Sequence, residues 1–160
     1  MSPGTMLDGA DETALQAFLA PLPTAHAVSL RTLAHAWQAA GGTLQVGRMT
    51  VRLTVQGRDG RNFTASTLHA TLGGDRPAAR SAELRSGPAL EVARVLLFNH
   101  GLNDADWRGW CDDLADLELR GFDAAAKYAT VPLERLPDAS VARLAQALRD
   151  LGRLAQGQPA

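Results

Sequence analysis

An α+β fold is expected, a small antiparallel sheet of about three strands flanked by two N-terminal and three C-terminal helices. Two observations predict it. Between Leu44 and Leu72, Met49, Val51, Leu53 and Val55 alternate with Arg48, Thr50, Arg52, Thr54 and Gln56, the period-2 pattern of a strand with one buried and one wet face. On either side of this stretch the apolar residues recur instead at helical spacing.

Taken in order, residues 1–9 read as a loose terminus. Asp11 can cap a short helix carrying Leu15, Phe18 and Leu19, stopped by Pro21 and Pro23. Ser29 can cap a second, with Leu30, Leu33, Ala34 and Trp37 on one face and Gly41-Gly42 after it. Leu44 and Val46 are out of phase with Met49 onward, so Gly47 marks a bulge or a turn between two strands. Gly57-Arg58-Asp59-Gly60 supplies a tight reversal into a second β-prone run from Asn62, in which the apolar phase slips again near Ser66. The sheet is thus either a meander with a short first strand or a long bulged hairpin.

Residues 73–87 (GGDRPAARSAELRSG) have no sustained period and read as a long loop, with room for a short edge strand near Ala82–Arg85. Pro88 suits the start of a third helix running to Gly101, with Leu90, Ala93, Leu96 and Leu97 inward. Asn103 or Asp104 caps a fourth, in which Trp107, Trp110, Cys111, Leu114 and Leu117 share a stripe that Gly121 closes. Tyr128–Leu133 fits a short strand that Pro132 confines to an edge. Asp138 begins a last helix with Val141, Leu144, Ala145, Leu148 and Leu151 on one face, and residues 156–160 read as a tail. The chain is read as one domain, 1–160. The order helix, sheet, helix, strand, helix is similar to that of small bacterial secretion chaperones, which are dimeric protein binders; the likeness is one of element order and carries no motif.

Composition narrows the function classes. Hydrophobic residues at 46% and charged residues at 21% are globular values and argue against a disordered chain. A single cysteine, Cys111, rules out an intrachain disulfide and favours a reducing compartment. With no targeting segment and no apolar run near the roughly 20 residues of a membrane span, a cytoplasmic protein without membrane contact is expected. The net charge of −1 hides an asymmetry: residues 44–94 hold eight arginines against four acids, and residues 95–138 hold nine acids against four bases. Either an anionic partner meets the basic part, or the two parts face each other within the fold.

No motif assembles a catalytic centre. Asp112-Asp113-Leu114-Ala115-Asp116 spells the DDxxD by which isoprenyl diphosphate synthases hold magnesium. Those enzymes resemble long helical bundles with a second acidic motif, which this chain lacks, so a solvated helix face is the expectation. A restriction-type nuclease would need carboxylates on its strands, and residues 44–72 carry none outside the turn. His26, His35, His69 and His100 are scattered, and Cys111 falls on an apolar stripe. No zinc spacing and no nucleotide-binding loop is present, so neither a metal nor a cofactor nor a particular small-molecule substrate is indicated.

The expectation is therefore a non-enzymatic binding or adaptor protein acting through a protein partner or by self-association, with Trp107 and Trp110 as candidate contact residues. The alternative is a nucleic-acid-binding protein that sets Arg48, Arg52, Arg58 and Arg61 of the hairpin on phosphates, with Arg76, Arg80 and Arg85 from the loop folding down on binding. A third reading, an enzyme with a cryptic site, requires His100, Cys111 and an Asp to meet within hydrogen-bond reach.

Overall fold

The computed structural model describes residues 3–71, 87–119, 121–134 and 136–158, with side chains from Asp11 onward. The fold is α+β. Helices α1 (Pro3–Leu19) and α2 (Thr24–Ala39) precede strands β1 (Thr43–Val46), β2 (Thr50–Gln56), β3 (Asn62–His69) and β4 (Ala89–Val92). Then come α3 (Arg94–Asn99), α4 (Asp104–Asp113), a 3-10 turn (Ala115–Leu117), β5 (Ala129–Pro132) and α5 (Asp138–Ala155).

Among the described residues the sheet is an antiparallel meander in the order β1-β2-β3-β4-β5, five strands rather than about three. Gly47 is the turn of the first hairpin: its N–H donates to Thr50 O at 2.8 Å, and Leu44 and Val46 face Leu53 and Val51. Met49 consequently lies in the turn and is 40% exposed, not on the buried face where alternation puts it. The slip near Ser66 is a bulge, because Leu53 pairs with Ser66 while Thr54 pairs with Thr64 and Ala65 is left over.

The strand absent from the sequence reading is β4. Its segment was expected at the start of a helix from Pro88, but only Arg94–Asn99 is helical. Ala89, Leu90, Glu91 and Val92 are all buried, between β3 on one side and β5 on the other. A four-residue segment with three apolar positions fits either period, and here the free energy of pairing with two neighbouring strands outweighs local helix propensity.

Several boundaries shift as well. Helix α1 starts at Pro3, which the first helical turn tolerates, rather than at Asp11. Helix α2 starts at Thr24 directly after Pro23, which leaves Ser29 in its interior. Asn103 is the cap of α4, its Oδ1 accepting from Asp106 N at 2.8 Å. The stripe that Gly121 was to close breaks after Asp113, and Glu118 sits at φ 50° beyond the 3-10 turn. The tail is tied down at Gln156, whose amide donates to Ala40 O and Gly152 O, both at 2.8 Å.

One core joins these elements. Helices α2 and α5 lie side by side and both touch β2. Leu30, Leu33, Trp37, Leu144, Leu148 and Leu151 are almost fully buried, and each such side chain contributes about 1.5–3 kcal/mol. Close approach of the two helices depends on Gly152, where a Cβ would stand 2.9 Å from that of Ala40. The sheet edges are blunted differently: α1 packs beside β1, and Pro132 removes a donor from β5.

Candidate functional site: the open face of the sheet

Alternation sends Leu44, Val51, Leu53, Leu68, Leu90 and Val131 to the helix-covered face. The opposite face receives Thr43, Gln45, Thr50, Arg52, Thr54, Thr64, Thr67, His69 and Glu91. On β1 and β2, Thr43, Gln45 and Arg52 are exposed. At the Gln56 end of β2 this face holds a groove of about 370 Å³ lined by Thr43, Gln45, Thr54, Gln56, Asn62 and Thr64. The hydroxyls of Thr43 and Thr54 bond to each other within it. Its polar side chains are hydroxyl and carboxamide, and Val55 and Phe63 share the lining. Among the described residues no acid, base or thiol lines it, and it offers hydrogen-bond donors and acceptors.

The candidate arginines divide. Arg48, Arg52 and Arg61 are exposed to solvent. Arg58 is engaged: its NH2 donates to Asp106 Oδ2 at 2.7 Å and its Nε to Leu154 O at 3.0 Å. The hairpin tip is thereby docked on α4 and the end of α5, and at this point the basic part of the chain does face the acidic part. Arg76, Arg80 and Arg85, and the loop that carries them, lie outside the described residues.

Trp107 and Trp110 are buried rather than displayed on the surface. Each is 3% exposed, their rings stack at 5.3 Å, and their indole N–H groups donate to Ala124 O at 3.0 Å and Ala147 O at 2.7 Å. An indole whose single donor is satisfied inside the fold packs as core. The stripe that suggested them is the same stripe that buries them.

His100 does meet an aspartate. Its Nδ1 is 2.8 Å from Asp59 Oδ2 and its ring stacks on Phe63 at 4.3 Å. The Asp59 carboxyl is held below the usual carboxylate range, first by the backbone N–H of Arg61 and then, against partial desolvation, by His100. Cys111 is elsewhere, in a pocket with Arg94, Trp107 and Asp112, and burial together with the Asp112 charge pushes its thiol up to about 11. The three groups of the cryptic-site reading are thus split, and the thiol is protonated at neutral pH.

The acidic motif is likewise dispersed. Asp116 accepts a two-pronged bond from Arg143 at 2.8 and 2.9 Å, which lowers its pKa. Among the described residues no three His, Cys, Asp or Glu side chains converge as metal ligands. No helix there is long and apolar enough to cross a membrane. Sequence reasoning missed one buried pair, His69 Nε2 and Glu91 Oε1 at 3.4 Å, because Glu91 was read as a helix residue. A correct strand assignment would have found it, since Glu91 stands opposite Thr67 and His69 is the next same-face position.

Comparison of the chain with models of protein families, with curated proteins and with solved structures finds no match.

Proposed function

We propose that the protein is a non-enzymatic binding module that takes a protein partner on the open face of β1–β3. The observation that carries this reading is the groove beside Gln56: concave, with threonine, glutamine and asparagine side chains beside Val55 and Phe63. Such a surface suits an extended polypeptide, whose backbone alternates donors and acceptors at the spacing these short side chains reach. Arg52, exposed between Gln45 and Thr67, favours an acidic residue in that segment.

A second reading keeps the same face but takes nucleic acid. It rests on the exposed guanidinium groups of Arg48, Arg52 and Arg61 and is weakened by the engagement of Arg58.

One experiment separates them. The full chain is screened against a library of extended peptides with and without acidic residues, and hydrogen exchange is followed on the complexes. Labelled oligonucleotides are titrated in parallel at low and physiological salt. Slowed exchange at Thr43–Val46 and Asn62–Thr67 on peptide binding, lost in a Gln45→Lys/Thr64→Lys variant, supports the peptide reading. Oligonucleotide affinity that collapses with salt and vanishes in Arg48→Glu/Arg52→Glu, with no peptide bound, replaces it by the second.

A further inference from the structure

Beyond the sheet face, the molecule carries an arginine that forms no ion pair among the described residues, although Asp104 and Asp112 line the same pocket. Arg94 opens α3. Among the described residues its guanidinium forms no ion pair or hydrogen bond, and its Nε is buried without an acceptor. It is nevertheless held in place, with Cζ 4.6 Å from the centre of the Phe98 ring. It lines a pocket of about 340 Å³ together with Asp104, Trp107, Arg108, Cys111, Asp112 and Ala124.

We propose that this pocket is a binding site for a monocarboxylate with an apolar body, received by the Arg94 guanidinium. Three features select that chemistry. A planar guanidinium with unpaired terminal Nη donors matches a carboxylate in a two-pronged arrangement. The second arginine of the lining does not compete, since Arg108 Nε already pairs with Asp104 Oδ2 at 2.7 Å. Asp104 and Asp112 in the lining repel an anion in proportion to its charge and so disfavour a phosphate dianion more than a monocarboxylate.

The wall for the apolar part is built before any ligand arrives. Trp107 is fixed to the 123–127 loop by its bond to Ala124 O, and the loop itself is closed by Asp123 Oδ1 accepting from Ala125 N at 2.9 Å. Cys111, the chain's single cysteine, sits in the same lining as a reporter rather than a reactant.

The carboxylate has two possible sources, a free small acid or an acidic side chain of a peptide, and both are tested. Benzoate is titrated into the 15N-labelled full chain, with benzamide as its uncharged counterpart and inorganic phosphate as the dianion. A blocked tetrapeptide with one Glu is compared with its Gln counterpart. The expected result is a saturable shift of the Trp107 indole resonance with benzoate or the Glu peptide, together with slower alkylation of Cys111. Affinity falls at least tenfold in Arg94→Gln and is only partly restored in Arg94→Lys, which keeps the charge but not the planar fork, and the dispersed spectra of both variants show that the fold is kept. Tighter binding of the Glu peptide than of benzoate assigns the site to a peptide side chain; the reverse assigns it to a free acid. Equal shifts with benzamide, unchanged affinity in Arg94→Gln, phosphate binding more tightly than benzoate, or no saturable shift with either carboxylate would each overturn the site.

Discussion

Arg58 and Asp106 are 48 residues apart and bonded at 2.7 Å, and the pair fixes the hairpin tip to the helical layer. The same arginine reaches Leu154 O through Nε, while its backbone N–H donates to His100 O at 3.2 Å. Its stem lies against Gly101, where φ is 109° and a Cβ would come within 2.9 Å of the Arg58 Cβ. One side chain thus ties β2–β3 to the α3–α4 junction and to the end of α5.

Arg58→Ala is therefore expected to lower stability by about 1–2 kcal/mol, the range for a charge-assisted bond reduced by partial exposure. Arg52→Glu, on the exposed face, is expected to stay within about 0.5 kcal/mol of the parent. Urea unfolding followed by tryptophan fluorescence measures both. A large loss in Arg52→Glu would mean that the two sheet faces are assigned the wrong way round.

Acid sensitivity follows from the lowered pKa of Asp59. A carboxyl whose folded pKa is depressed binds fewer protons than in the unfolded chain. Its contribution is complete above the ordinary aspartate value, near 3.8, and is lost as pH falls through the depressed one. Asp59→Asn should be less stable than the parent at neutral pH, and the two should converge in strong acid. Parallel urea midpoints across the acid range would contradict this.

Cys111 is expected to react slowly in the native protein. With its thiol raised from 9.0 to about 11, the thiolate fraction at mildly alkaline pH is about a hundredfold below that of an unperturbed cysteine. Alkylation monitored by mass in native buffer and in urea tests this, and equal rates would refute it.

Gly42 is a point of steric closure. A Cβ there would meet Trp37 Nε1 at 2.1 Å, and that nitrogen donates to Thr54 O at 2.8 Å in the core. Gly42→Ala must displace a fully buried indole and break its bond, for an expected loss of about 3 kcal/mol. A melting temperature close to that of the parent would show that the ring can move aside.

Much of the architecture was legible because it is local. The stripe Val141, Leu144, Ala145, Leu148 and Leu151 is long enough to define a 3.6-residue period, and all five are buried. Gly57–Gly60 named its reversal, Asn103 its cap and Pro132 an edge strand, since each acts through its own backbone geometry. The candidate site was only half legible. Alternation put Arg52 and the threonines on one face, but it could not say which arginines would be free.

What the tertiary structure alone decided depends on partners distant in sequence. Leu90 and Val92 form a strand because β3 and β5 flank them. Trp107 and Trp110 are core because the Ala124 and Ala147 carbonyls come to meet their N–H groups. Arg58 is occupied because Asp106 and the end of α5 arrive beside it, whereas among the described residues no carboxylate bonds to Arg94, Asp104 and Asp112 sharing its pocket without pairing with it. A side chain's type and local period set the face it occupies on its own element. Whether that face meets water, a carbonyl or a charge is settled by which other segments pack there, and no local pattern encodes that.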